Sequence, residues 1–255
     1  MYRTLCSSSN YTLIADNLTK QELVDSTWST LTGGSYKYGI GIVEDASRPI
    51  QWSNCIVNNN ISIDCPDVQD VDGHLYHSVQ IGSKCWMNEN LRTTHYADGR
   101  PITNIYKYQC PEYPNAENNA TTFGLLYDWY DALDSNITRT RAIYKQGICP
   151  TGWHIPSDDE FEELININLQ TVRSTDYWLY NAGDNATGFD LRPAGMYSYN
   201  SARYENLLGN TYLWSATSLS TTTARCYAAD CNCYLIYELT SAKTNAYSVR
   251  CVKDF

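Results

Sequence analysis

Residues Cys149 to Leu164 read CPTGWHIPSDDEFEEL. Pro150-Thr151-Gly152 has turn chemistry, because Pro presets one backbone angle and Gly admits the positive one. Pro156 pushes Ile155 toward extended backbone. Ser157 with Glu160 three residues on forms a capping box: the hydroxyl accepts from the Glu160 amide and the carboxylate reaches back to the Ser157 amide. Asp158 and Asp159 place negative charge at the positive end of the helix dipole. Phe161, Leu164 and Ile165 share one helical face. The stretch therefore predicts a turn, an extended pair and a helix, with Trp153 in the core. His154 reads as a hydrogen-bonded structural residue, and the acidic group Asp158, Asp159, Glu160, Glu162 and Glu163 as a solvated helix start.

Outward from this stretch the chain alternates short strands and loops. Leu125, Trp129 and Leu133 recur at four-residue spacing and predict a second helix over Gly124 to Leu133. His74 to Ile81, Gly82 and Cys85 to Leu91 read as two strand-like runs, with Trp86 and Trp214 also assigned to the core. Asp70-Val71-Asp72-Gly73 invites a calcium loop, since alternating carboxylates suit a hard cation. Asp-Gly between strands is the stronger reading, a hairpin turn. Arg92 to Asn119 is loop-rich. Gly188 to Leu191 reads as strand-like, and from Pro193-Ala194-Gly195 short Tyr- and Ser-rich strands run to the end. Residues 1–66 differ: Gly33-Gly34, a strand-like run from Tyr36 to Val43, a turn at Asn58 to Asn60 and a short helix around Lys20 to Trp28 suggest a β-rich annex or anchor. The predicted fold class is α+β, with domains over 1–66 and 67–255.

With 255 residues, 43% of them hydrophobic, the chain can bury a sizeable core. Its net charge of −10 argues against a general nucleic-acid binder and against adsorption to anionic membranes. No run approaches the ~20 apolar residues of a membrane helix, so membrane insertion is not expected. The start, MYRTLCSSSN, lacks the basic and apolar regions of a leader. That suggests a leader removed earlier or another route outside, such as export within a virus particle. Ten cysteines, widely spaced and without a repeated CxxC, read as disulfides formed in an oxidising place. Metal and cofactor binding are not expected, because histidine is scarce and Cys231-Asn232-Cys233 has no second pair.

Six blocks in order carry a resemblance: DGHLYHSVQIGSKCWMNENLRTTHYADG, FGLLYDWYDAL, CPTGWHIPSDDEFEEL, GFDLRPAGMYS, YLWSATS and YSVRCVKD. Between Asp72 and Asp254 the chain resembles the Fibrobacter succinogenes major paralogous domain family, found in secreted and surface proteins of Bacteroidetes and Fibrobacteres. The resemblance implies a C-type-lectin-like fold: two helices, a small mostly antiparallel sheet closed by the last strand, and long loops. It implies a Cys149–Cys251 bridge. Cys85 with Cys110, and Cys226 with Cys231 or Cys233, are further candidates. The segment Ala224 to Tyr237 departs most from the family pattern. No Glu-Pro-Asn or Trp-Asn-Asp calcium motif occurs, so calcium-dependent sugar binding is not supported.

These readings point to a non-enzymatic recognition module outside the cell, at a bacterial surface, secreted, or in a phage particle. Its partner would be a glycan or a surface protein. The candidate contact residues are Tyr197, Tyr199, Asn200, Arg203, Tyr204, Arg225, Tyr227, Asp230, Asn232, Tyr234 and Tyr237, since Tyr, Asn and Arg suit adaptable recognition loops. Alternate Tyr in strands that simply pack on a sheet is the competing explanation. Cys226 to Tyr234, CYAADCNCY, contains only residue types reachable from the codon AAC by changing its adenines. Diversity-generating retroelements leave such a mark, and chance in a Cys- and Tyr-rich chain also produces it. Two other classes stay open: a structural subunit packing on neighbouring copies in a filament or virion, and a formylglycine-generating-type oxidoreductase. The latter needs a reactive thiol pair, which Cys231 and Cys233 would have to supply, whereas the binding reading expects few or no free thiols.

Overall fold

The computed structural model describes residues 64–106, 116–135 and 146–254, together with five strands before residue 64. The chain divides into two compact units, Met1–Ile63 and Asp64–Phe255. In the first, β1 (Tyr2–Leu5), β2 (Thr12–Leu13), β3 (Gly34–Ile40), β4 (Gln51–Trp52) and β5 (Ile56–Asn58) form one antiparallel sheet. Its order is β2-β1-β3-β4, with β5 also pairing β3. The expected helix around Lys20 to Trp28 lies outside the described residues.

The second unit begins with two hairpins. Asp70 to Gly73 is a turn joining β6 (Val68–Gln69) to β7 (Leu75–Tyr76), with Gly73 at φ +87°. Gly82 then turns the chain between β8 (Ser78–Ile81) and β9 (Lys84–Met87). Next come β10 (Ile105–Tyr106), α1 (Ala116–Phe123), β11 (Leu126–Asp128) and α2 (Trp129–Ala132). The helix expected over Gly124 to Leu133 is therefore a strand followed by a single helical turn. Tyr127 pairs Ile105 on one side and Tyr247 on the other, so ladder hydrogen bonds override the four-residue period.

The capping-box stretch forms as expected. Trp153 and His154 make β12, and α3 spans Asp158–Ile165. The Glu160 carboxylate accepts from the Ser157 amide at 2.9 Å and from its hydroxyl at 3.2 Å. Glu160 is not solvated, however. It lies buried against His154, 3.0 Å away, with Lys84 at 3.4 Å. His154 is buried too and bonds Asp254 at 2.6 Å with its other ring nitrogen. α4 (Leu169–Val172) follows, then β13 (Met196–Ser198), β14 (Arg203–Glu205), β15 (Asn210–Ser218), β16 (Thr223–Asp230), β17 (Tyr237–Ala242), β18 (Ala246–Tyr247) and β19 (Val252–Lys253). Among the described residues strands dominate, and the helices number four rather than two, each of eight residues or fewer.

The strands assemble as β10-β11-β18-β13-β14, β12-β19-β9-β8 and β15-β16-β17. The closing strand β19 thus sits between the capping-box strand β12 and β9. The Cys149–Cys251 bridge fastens the same junction, with Cα atoms 6.0 Å apart. Trp86 anchors the core, edge-on to Phe161 at 5.2 Å and to Phe189 at 5.9 Å. Trp214 tilts against Tyr247 at 4.4 Å, and Trp153 is buried as expected. Arg250 crosses this interior, held by an amide oxygen and backbone carbonyls. It donates to Asn90 Oδ1 at 2.7 Å, to the Asp190 carbonyl at 2.7 Å and to the Phe189 carbonyl. Burial brings its pKa down to about 9.

Two cysteine expectations are corrected. Cys85 bonds Cys65, with Cα atoms 5.4 Å apart, rather than Cys110. The chain entering the unit runs beside the β8–β9 hairpin, where Ser78 Oγ donates to the Pro66 carbonyl, and this brings Cys65 alongside Cys85. Cys110 lies outside the described residues, as do Cys6 and Cys55. Cys226, Cys231 and Cys233 are free thiols. Cys226 sits inside β16 and Cys231 just past its end, a separation of about 16 Å along an extended strand. That exceeds the ~7 Å limit for bridged Cα atoms.

Candidate functional site

The most exposed large side chains near the Tyr-rich region lie on two loops, and one buried arginine holds both. Arg173 caps α4 at its C-terminal end and is 2% exposed. Its guanidinium donates to the Asn181 carbonyl at 3.0 Å on one loop. On the other it donates to the Cys233 carbonyl at 3.0 Å and to the Asp230 carbonyl. Its plane covers the Trp178 ring at 4.7 Å. Burial lowers its pKa, and the nearby Asp230 charge opposes that shift. Three carbonyl acceptors and a ring face replace part of the water that a buried cation gives up, and Nε is buried without a hydrogen-bond partner.

Further hydrogen bonds complete the frame. Asn181 Nδ2 donates to the Cys231 carbonyl at 2.8 Å, Leu169 N to the Tyr234 carbonyl at 3.0 Å and Gln170 Nε2 to the Ala182 carbonyl at 2.9 Å. Leu179 N bonds the Leu208 carbonyl and Cys231 N the Gly209 carbonyl, each at 2.9 Å. Gly183 is required here: a Cβ at that position would meet the Arg173 carbonyl at 2.3 Å. Tyr177 adopts φ +75° and Asn181 φ +54°. For tyrosine the left-handed region costs about 1–2 kcal/mol, a strain tolerated where surrounding contacts over-determine the backbone.

What this frame displays is apolar. Tyr234 is 86% exposed, Tyr180 67%, Leu179 58% and Leu235 54%. Such groups on a fixed backbone form a preorganised contact surface, because little loop entropy remains to be lost on binding. Sequence reasoning missed Arg173, Leu179, Tyr180 and Leu235. The run Asp176-Tyr177-Trp178-Leu179-Tyr180 carried the signal: four large rings and chains in a non-periodic loop.

The expected contact residues separate into four environments. Asn232 and Tyr234 belong to the clamped loops and are exposed. Asp230 and Tyr237 brace that turn instead of facing outward: the Asp230 carboxylate accepts from Asn232 N at 2.8 Å, Cys233 Sγ at 2.9 Å and Tyr237 OH at 3.2 Å. Burial raises the Asp230 pKa, but these donors outweigh it and the net shift is downward. Tyr197, Tyr199, Asn200, Arg203 and Tyr204 form a second group on the β13–β14 hairpin. There Tyr197 stacks on Tyr106 at 4.2 Å and meets Tyr204 edge-on at 5.1 Å, while Tyr199, Asn200 and Arg203 are exposed.

The remaining two need correction. Tyr227 is a core residue, 3% exposed and stacked on Phe161 at 4.0 Å, because its side of β16 faces α3. Arg225 is engaged between Asp158 and Glu238, at 3.5 Å from each. The run Cys226 to Ala229 is buried as well. Any sequence variation serving recognition therefore has room only from Asp230 onward. Among the described residues three cysteines are free thiols.

Among the described residues one group has metal-ligand chemistry: Asp70, Asp72 and His74. Its carboxylates are engaged by the protein. Asp70 accepts from His74 N at 2.9 Å and Tyr76 OH at 2.7 Å. Asp72 accepts from Thr94 Oγ1 at 2.9 Å and Thr93 Oγ1 at 3.1 Å, with His95 Nδ1 2.6 Å away. Burial raises the Asp72 pKa, and its donors bring it down to about 2. The arrangement braces a hairpin turn.

The described helices include none long and apolar enough to cross a membrane. Comparison with curated proteins and with solved structures finds no match. The family model described as Fibrobacter succinogenes major domain matches residues 79–253. That span runs from β8 to β19 and contains the Cys149–Cys251 bridge, Arg173 and both clamped loops. Matched over more than two thirds of its length, the chain belongs to the Fibrobacter succinogenes major domain family.

Proposed function

We propose that this chain is a non-enzymatic recognition module of C-type-lectin-like fold that acts outside the cytoplasm, on a bacterial surface or in a phage particle. The observation that carries the reading is the clamped loop pair: four large apolar side chains stand in solvent on a backbone pinned by a buried arginine. Solitary exposed apolar residues are ordinary, whereas several on one supported feature mark interaction sites. Two disulfides fit an oxidising environment. The mixed α and β elements, short helices and loop-borne surface agree with a C-type-lectin-like arrangement.

The partner would be a neutral or cationic glycan or protein patch, because the protein carries a net charge of −10 and Asp176 and Asp184 flank the exposed loop. A glycan array and a surface-protein panel, probed with the intact chain, test the proposal. Specific capture of a ligand supports it, and failure to bind any member of either panel counts against it. A structural role in a filament or virion would instead show as self-association at micromolar concentration.

A further inference from the structure

We infer that Cys231 and Cys233 form a redox-active dithiol that reacts with small external disulfides by thiol–disulfide exchange, closing a bridge across its own turn. The two cysteines differ in access. Cys233 is partly buried at the edge of the main core cluster, whereas Cys231 is 9% exposed and lies within it. The turn between them is closed by Cys233 N donating to the Asp230 carbonyl at 3.2 Å. Residues two apart span at most about 7 Å even when extended, and a turn shortens that into the Cα separation that disulfides use. Asp230 accepts the Cys233 thiol proton at 2.9 Å. The Arg173 guanidinium is fixed to the same turn, donating to the Cys233 carbonyl at 3.0 Å and to the Asp230 carbonyl. Burial and the Asp230 bond raise the Cys233 pKa, while Arg173 opposes them. The third thiol is unlike these. Cys226 is enclosed in β16, faces the Leu239 carbonyl at 3.8 Å, and burial pushes its pKa up to about 12.

The chemistry balances with the external disulfide as oxidant. The Cys233 thiolate attacks one sulfur of RSSR, forming Cys233–S–S–R and releasing RS⁻. The Cys231 thiolate then attacks the Cys233 sulfur, forming the internal disulfide and releasing the second RS⁻. The protein loses two electrons and two protons, and the disulfide becomes two thiols. Closure takes the Cys233 proton away from Asp230, so the turn that carries Asn232 and Tyr234 changes its bracing with redox state.

The test incubates the full chain with oxidised glutathione, quenches with acid, alkylates and maps peptides by mass. The expected result is a Cys231–Cys233 peptide two hydrogens lighter and closed to alkylation, with Cys226 alkylated only after unfolding. In Cys231→Ser, a glutathione adduct should accumulate on Cys233. In Cys233→Ser, adduct formation at Cys231 should fall at least about tenfold, because the buried thiol is shielded from the reagent. Asp230→Asn should speed exchange at neutral pH by removing the negative charge beside the Cys233 thiol that opposes its ionisation. Retention of two alkylatable thiols in that peptide, an adduct at Cys226, or a disulfide-linked dimer would each overturn the inference.

Discussion

Lowering the pH from 8 toward 5 should stabilise this protein, and replacing Asp128 with Asn should remove most of that gain. Asp128 caps α2, accepting the Asp131 amide at 2.8 Å, and both carboxylates are buried. Burial, with the Asp131 charge adding to it, raises the Asp128 pKa from 3.8 to about 6. A group whose folded pKa lies above its unfolded value favours folding fully below the unfolded pKa. That contribution is lost as pH rises through the folded pKa. Two pKa units correspond to about 3 kcal/mol lost well above pH 6. About half of it, near 1.5 kcal/mol, returns between pH 8 and 5. Asn keeps an acceptor for the Asp131 amide but cannot ionise. Urea unfolding of wild type and Asp128→Asn at pH 5, 6, 7 and 8 checks this. The variant should match wild type at pH 5 more closely than at pH 8, where it should be the more stable. Parallel profiles for the two proteins would refute the reasoning.

The acid limb belongs to Glu160. Burial raises its pKa, but His154, Ser157 and Lys84 outweigh that and bring it down to about 2, so its contribution is present above 4.5 and lost as pH falls toward 2. Glu160→Gln should lower stability at pH 7 by about 2–3 kcal/mol and flatten the loss between pH 4.5 and 2, read by denaturant midpoints. Replacing Cys149 and Cys251 together by Ser should cost about 4–5 kcal/mol in the chain-entropy model, since the bridge spans 102 residues. Calorimetry should show the melting temperature falling by about 10 °C or more. Tyr227→Ala should cost about 3–5 kcal/mol, as other large core truncations do. Tyr234→Ala should stay within about 0.5 kcal/mol of wild type. Equal effects from the two would contradict the burial assigned to them.

Local chemistry was legible where it is self-contained. The capping box at Ser157 and Glu160 and the Asp70 to Gly73 turn depend on neighbours within a few residues, and each appears as expected. The Cys149–Cys251 bridge, 102 residues apart, came through family resemblance rather than spacing. Readings failed where partners distant in sequence settle the outcome. Leu126 to Asp128 follow a helical period yet form a strand, because Tyr247 offers a ladder partner 120 residues away. Tyr227 and Tyr234 are the same residue type seven positions apart, one in the core and one in solvent. The difference arises from where β16 ends, which composition does not encode. Arg173 carries no local signal of its role, because its carbonyl partners lie up to 60 residues away.

The most direct test of the proposed contact face uses the first ligand captured in a glycan or surface-protein screen. Its affinity should be measured by calorimetry for wild type, for Tyr180→Ala/Tyr234→Ala and for Tyr199→Ala/Arg203→Ala on the β13–β14 hairpin. Binding through the clamped loops predicts that the first double variant loses at least about 2 kcal/mol, roughly thirtyfold in Kd. The hairpin variant should bind as wild type does. Unchanged affinity in the loop variant, with loss in the hairpin variant, would contradict the account and move the recognition surface to the hairpin.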